Sequence, residues 1–158
     1  MSAMRIIDSI LNIDNSKEEL LANPKAIQLL ELIEQNMDKI HWKILSASPK
    51  LNQIAIYLLE KNLDKIDWTA LSLNSSEGAI HVLEKNQDKI HWDWLSYNES
   101  AIHIIENNLE KINWDRLSFN PNAIDILEQH QDKINWINLR CNQHSRRLLE
   151  QNQEKIGL

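Results

Sequence analysis

His81 and His103 stand 22 residues apart in matching phrases, Ala-Ile-His-Val-Leu-Glu and Ala-Ile-His-Ile-Ile-Glu. Two imidazoles at equivalent positions would begin a zinc site if further ligands joined them. Side chains rooted one repeat apart, about 10 Å if helices lie side by side, converge only with awkward rotamers, and no third ligand is in phase. Solvated histidines are the better reading. His41 and His91, each directly before a Trp, read as caps of a short helix. A second titratable series is Glu60, Glu84, Glu106, Glu128 and Glu150, each five residues ahead of a Lys. Carboxylate catalysis needs two acids facing one substrate. These acids fall once per repeat, so they read as columns beside the lysines, each exposed pair contributing about 0–1 kcal/mol. No Ser/His/Asp order, glycine-rich phosphate loop or Cys/His zinc spacing occurs, and two glycines in the whole chain leave little for a phosphate cradle. No catalytic residue, metal ligand or cofactor is assigned, and the chain reads as non-enzymatic.

What positions these groups is a repeat. Trp42, Trp68, Trp92, Trp114 and Trp136 each follow an Ile by two positions and precede a Leu by three, at spacings of 26, 24, 22 and 22. The template is W-x-x-L-S-x-N-P-x-A-I-x-L-L-E-x-N-x-D-K-I-x, with its best copies at WDWLSYNESAIHIIENNLEKIN and WDRLSFNPNAIDILEQHQDKIN. The longer copies accept extra residues between Pro49 and Ala55, or around Ser76 and Glu77. At 100° per residue, Ala55, Ile56, Leu58 and Leu59 share one side while Tyr57 points away, which predicts an amphipathic helix. Pro24, Pro49 and Pro121 each follow an Asn or Ser, the expected pairing of an N-cap with Pro at the first helical position. Asn36, Asn62, Asn86, Asn108 and Asn152, with His130 in the other copy, stand where a left-handed residue would close that helix. The Trp segment predicts a second, shorter element, one turn of α or 3₁₀ helix, capped by the residue before Trp. Upstream, Ser16 and Glu19 form a capping box with Lys17 in the Trp slot.

These signals predict an all-α chain, a right-handed α-solenoid of short-helix/long-helix repeats. The layout is one repeat domain, 1–158, with a capping helix within 1–15 (near 4–12), six short repeats over 16–155 and a tail at 156–158. A strand reading based on Leu71-Ser-Leu-Asn, similar to leucine-rich repeats, fails because no period-two alternation is sustained. A lone helix of 8–11 residues is marginal, since nucleation is costly. Each repeat must therefore lean on the next, about 10 Å away, and matched residues should form rungs. A buried indole flank would contribute about 2–3 kcal/mol per repeat. The alternative use of a Trp row, stacking nucleic-acid bases, sits poorly with a net charge of −6 and pI near 5.5.

The phrase LSFNPNAIDILEQHQDKINW resembles the short tandem repeats, rich in Asn-Pro, Ala-Ile, Leu-Glu and Lys-Ile-x-Trp, of giant DNA viruses of protists. The resemblance spans about residues 17–156 and is weakest in the first copy, which lacks Trp, and the last, where Arg140, Ser145 and Arg146 replace Ser, Ala and Ile. It implies a solenoid of viral origin whose role is unassigned. More distantly, the pairing of one-turn and longer helices is similar to leucine-rich-variant repeats, which alternate α and 3₁₀ helices.

The single Cys141 allows no internal disulfide, the amino end lacks a signal-peptide pattern, and no run reaches the ~18 apolar residues of a membrane helix. The expectation is a soluble intracellular protein, in the host cytoplasm or virion if viral, with a protein partner, no nucleic acid and no membrane. Its candidate contacts are the outward slot of the long helix, Gln28, Tyr57, His81, His103, Asp125 and Arg147, together with Trp94. That slot varies while its neighbours hold steady, as a readout surface would, and Trp94 lies off the Trp ladder at an address held elsewhere by Ile44, Ala70, Arg116 and Asn138. Leu73, Tyr97, Phe119 and Cys141 share another address and read as a shallow second stack. The carboxyl end, EKIGL, with Leu158 in the Trp slot, suggests homo-oligomerisation through that end as the alternative role.

Overall fold

The computed structural model describes residues 24–156, which are helical with no strand among them. The expected helix near 4–12, the Ser16/Glu19 capping box and Leu158 lie outside the described residues. Contacts divide the chain into two compact units, Met1–Lys89 and Ile90–Leu158.

In the first unit, α1 (Pro24–Glu34), α2 (Trp42–Ser46), α3 (Gln53–Lys61), α4 (Trp68–Leu73) and α5 (Glu77–Lys85) alternate long and short, with 3₁₀ turns at Met37–Lys39 and Gln87–Lys89. The second unit holds α6 (Trp92–Leu95), α7 (Ile102–Glu106), α8 (Trp114–Leu117), α9 (Ile124–Gln129), α10 (Trp136–Leu139) and α11 (Arg146–Gln151), with 3₁₀ turns at Pro121–Ala123, Gln131–Lys133 and Gln153–Lys155. Each repeated Trp is the first residue of a short helix, and all five of those helices are α. The preceding residue caps the helix where it can accept: Asp67, Asn113 and Asn135 take the amides of Ala70, Arg116 and Asn138 at 2.9, 3.1 and 3.1 Å. His41 and His91 make no such side-chain bond, so the capping expected of them is not found.

Three further expectations are corrected. Pro49 does not open a helix; Asn52 does, its side chain accepting from Ala55 N at 3.0 Å, because the longer copy places four extra residues ahead of the cap. Asn120–Pro121 does behave as an N-cap with Pro just inside, but on a 3₁₀ turn. The Asn closing each long helix is not left-handed: Asn62, Asn86 and Asn152 have φ of −133, −131 and −133°. Its side-chain amide instead turns back and donates to the carbonyl four residues earlier, Leu58, Val82 or Leu148, at 2.8–2.9 Å. His130 substitutes by placing Nδ1 2.9 Å from Ile126 O. A helix end leaves carbonyls unpaired, and a short amide side chain can reach one of them without a strained backbone. The long helices also shrink to five or six residues in the second unit.

The Trp rings are half-buried rather than fully enclosed. Complete burial falls to the Leu three residues on: Leu45, Leu71, Leu95, Leu117 and Leu139 are all 0% exposed. The Ile two before each Trp is nearly as hidden, and Leu59, Leu83, Ile105 and Leu127 close the core from the long helices. Lys111 lies 5.0 Å over the Trp92 ring, and the His130 ring is 5.2 Å from that of Trp114. Each of these indoles is thus flanked by the end of its own repeat.

Next to the Leu column runs a polar one. Ser46, Ser72, Ser96 and Ser118 are fully buried, as are Asn74, Asn98, Asn120 and Asn142 within a few per cent. Ser118 Oγ donates to Trp114 O at 2.8 Å and accepts from the amide of Asn135, in the next repeat, at 3.0 Å. Asn142 Nδ2 then bridges two carbonyls of the preceding repeat, Ser118 O at 3.1 Å and Asn120 O at 2.8 Å. Its own Oδ1 accepts from His144 N at 3.0 Å. The same set joins Ser96 and Asn98 to Asn113 and Asn120. Within the first unit Ser46 and Ser48 meet Asp67 and Asn74 in the same way. The chain leaving so short a helix carries buried carbonyls, Ser118 O and Asn120 O, that gain donors from the next repeat. Among the described residues no buried side-chain nitrogen or oxygen is left unpaired.

One close approach is specific to the first unit. A Cβ on Gly78 would lie 2.6 Å from Leu51 O, 2.8 Å from Leu51 Cβ and 2.9 Å from Ile56 Cδ1. Gly78→Ala should therefore destabilise by about 1–3 kcal/mol in urea unfolding, the backbone clash outweighing alanine's better helix propensity. Asn120→Ala, which leaves two buried carbonyls short of a donor, should cost about 2–4 kcal/mol in the same measurement.

Candidate functional site

The polar residues buried in the core are all Ser or Asn, so the described residues contribute no buried acid, base or histidine. No group of three metal-binding side chains gathers among them, and no helix there is long and apolar enough to cross a membrane. His81 and His103 are both exposed. His81 Nε2 sits 3.5 Å from Glu60 Oε1, which also accepts from Lys85 Nζ at 2.7 Å. His81 and Lys85 border a groove of about 570 Å³ with Glu77, Gly78 and Glu84, over a floor that includes Leu51 and Ile56.

Along the long-helix slot, Gln28, Asp125 and Arg147 are exposed as well, and Tyr57 is half-buried with Lys61 Nζ 5.8 Å from its ring centre. Two of its members, Arg147 and His81, engage the repeat before them. Arg147 Nη2 donates to both oxygens of Glu128, at 2.5 and 2.6 Å, as His81 approaches Glu60. The hydrogen bond to Glu128, and then that carboxylate's charge, raise the Arg147 guanidinium above its ordinary range. The expected acid and base columns form in a different register. Lys65, Lys89 and Lys133 lie against the Asp directly before them, at 3.4, 3.3 and 3.7 Å, rather than reaching the Glu five residues back. The Asp-Lys pair occupies a tight turn in these copies, which holds neighbouring side chains together.

In each unit the short helices present a second set of addresses, two and five residues after Trp. The first series is Ile44, Ala70, Trp94, Arg116 and Asn138; the second is Ala47, Leu73, Tyr97, Phe119 and Cys141. In the first unit Ile44 and Leu73 are 45% and 43% exposed, and a groove of about 470 Å³ is lined by Ala47, Thr69, Ala70 and Leu73 with Lys43 and Asp67 at hand. In the second unit the same addresses hold an aromatic cluster. Trp94 and Tyr97 lie 6.3 Å apart between ring centres, and Tyr97 and Phe119 5.8 Å. The Arg116 guanidinium is stacked 4.3 Å from the Trp94 ring and 5.2 Å from that of Tyr97.

The ring contacts of Trp94 are with His91, Tyr97 and Arg116, none of them in the long-helix slot. Trp94 packs back over Tyr97 and beneath Arg116. The shallow stack expected at Tyr97 and Phe119 is present, whereas Leu73 and Cys141 at the same address are exposed. Ile44 and Ala70 were visible as variable positions, and their apolar character together with Leu73 was the available signal for this surface.

Comparison with protein-family models, with curated proteins and with solved structures finds no match to this chain.

Trp94 and its neighbour separate the surface from the core. Trp94→Ala should cost about 1–2 kcal/mol in urea unfolding, the loss of a half-buried stack. Leu95→Ala, at a fully enclosed position, should cost about 2–5 kcal/mol.

Proposed function

We propose that this chain is a non-catalytic α-solenoid that serves as a scaffold for contact with another protein, inside the cell or virion of a giant-virus system whose tandem repeats it resembles. The observation that carries this reading is the contrast between addresses. Leu recurs in every Trp-led repeat, and Ser and Asn recur beside it where repeats hydrogen-bond to one another, giving way only to Arg140 and Ser48, while apolar and aromatic residues change from copy to copy at the short-helix addresses. Successive bonds of one kind, such as those from Asp67 to Ser46 and from Asn135 to Ser118, are what a stacked array requires. An extended surface with exposed aliphatic and half-buried aromatic side chains suits protein recognition. With a net charge of −6, it suits nucleic acid poorly.

A second reading, self-association through the last repeat, has its own support. Asp93 and Asp115, one residue after Trp, accept from Asn113 and Asn135 of the following repeat at 2.8 Å. At the same address in the last repeat stands Ile137, 78% exposed. A groove of about 410 Å³ bounded by Arg140, Asn142, Leu149 and Ile156 lies in that repeat too.

Affinity capture from the native cell, compared between the wild type and Leu73→Asp and Trp94→Ala variants of unchanged helicity, tests the first reading. A protein retained by the wild type and lost from either variant is the expected result; identical sets of captured proteins would contradict it. Sedimentation of wild type against Ile137→Asp tests the second, which predicts concentration-dependent mass only for the wild type.

A further inference from the structure

The aromatic cluster of the second unit holds a cation whose charge is not answered within it. Arg116 is half-buried over two aromatic faces, and among the described residues no carboxylate pairs with it. Acids do stand nearby in sequence, but Asp93 and Asp115 each accept a side-chain amide from the next repeat. Arg147, by contrast, is fully engaged by both oxygens of Glu128. The guanidinium makes no side-chain hydrogen bond or ion pair among the described residues, so its N–H fork is free for a ligand. A planar fork held in place over aromatic faces is suited to a carboxylate, and the partial burial of the arginine strengthens such a bond. Beside it the Tyr97–Phe119 pair offers an apolar strip one address away.

We infer that the Trp94–Arg116–Tyr97–Phe119 surface binds an acidic peptide segment of a protein partner, with an Asp or Glu carboxylate on the Arg116 fork and an adjoining apolar side chain on Tyr97 and Phe119. This rests on the scaffold reading and names the chemistry of its ligand. The chain's overall negative charge does not oppose it at contact, because fields beyond about 8 Å are screened at physiological salt. The charged contact supplies selection and the aromatic strip supplies area.

The test uses the full chain and a fluorescein-labelled peptide of alternating Glu and Leu-Gly units, with matched peptides carrying Gln, Lys or phosphoserine in place of Glu. Binding is followed by anisotropy, and by the indole N–H resonance of Trp94 in nitrogen-15 spectra, assigned through Trp94→Phe. The Glu peptide should shift that resonance and bind at least about tenfold more tightly than the Gln peptide, a difference of ~1.4 kcal/mol. Arg116→Gln, with its thermal midpoint unchanged, should remove that preference, and Arg147→Gln should keep it. Equal binding of the Glu and Gln peptides, or an undiminished preference in Arg116→Gln, would overturn the proposal. So would binding of the phosphoserine peptide alone. If the Gln peptide shifts Trp94 as far as the Glu peptide does, the acidic selection falls while the surface remains a protein-binding one. If no peptide moves it, the acidic ligand is excluded, and the capture experiment decides the scaffold reading separately.

Discussion

The constraint on which the rest depends is that helices of four to six residues are too short to stand alone, and the polar groups at and just beyond their ends must be paired by the next repeat. In a four-residue α-helix such as Trp114–Leu117 the turn that follows takes up the carbonyls, Ser118 N reaching Trp114 O and Asn120 N reaching Leu117 O, while the Ser118 carbonyl just past the helix and the amide of Asn135 find their partners across the repeat boundary. Buried beside fully enclosed leucines, such groups at the helix ends would each cost free energy comparable to a lost hydrogen bond if left unpaired. The Ser and Asn columns answer this from the adjacent repeat. Ser118 and Ser96 accept an amide from the next copy, and Asn142 and Asn120 reach back to two carbonyls each. The polar column is therefore a condition of burying the apolar one.

This arrangement explains what varies. The Leu three past each repeated Trp and the Ile two before it keep their type, and the Ser and Asn of the polar column depart from it in the Trp-led repeats only at Arg140 and Ser48. The short-helix addresses two and five past Trp are under no such demand, and they run from Ile44 and Leu73 through Trp94 and Tyr97 to Asn138 and Cys141. Even there the scaffold reuses a side chain where it can: Asn138 donates to Asp115 O at 2.9 Å. The freedom left over is what the proposed scaffold role would draw on.

Much of the fold was legible in the residues. The period, the Trp at the head of a short helix, the caps at Asp67, Asn113 and Asn135, and the amphipathic face of Gln53–Lys61 follow from local rules that act within one turn. What escaped was non-local or had two local solutions. Asn in the Asn-Pro slot reads as a helix cap, and Asn120 does cap locally; its bonds to Ser96 and Asn98, 24 and 22 residues back, need the packing to be known first. Asn62 and Asn86 fit a left-handed stop equally well on paper, and only the backbone angles distinguish that from a side-chain amide donating four residues back. The Glu partners depend on how far each long helix is offset from the next, which the period alone leaves open. Trp94 was legible as an exception, but its arginine partner lies 22 residues away.

The most direct measurement of the central claim is native-state hydrogen exchange at the backbone amide of Asn135, which donates to Ser118 Oγ across the repeat boundary. The account predicts strong protection in the wild type, matching that of the Leu117 and Leu139 amides, and much faster exchange at Asn135 in Ser118→Ala. Exchange at Asn135 as fast as that of an exposed loop amide, or unaltered by Ser118→Ala, would contradict it.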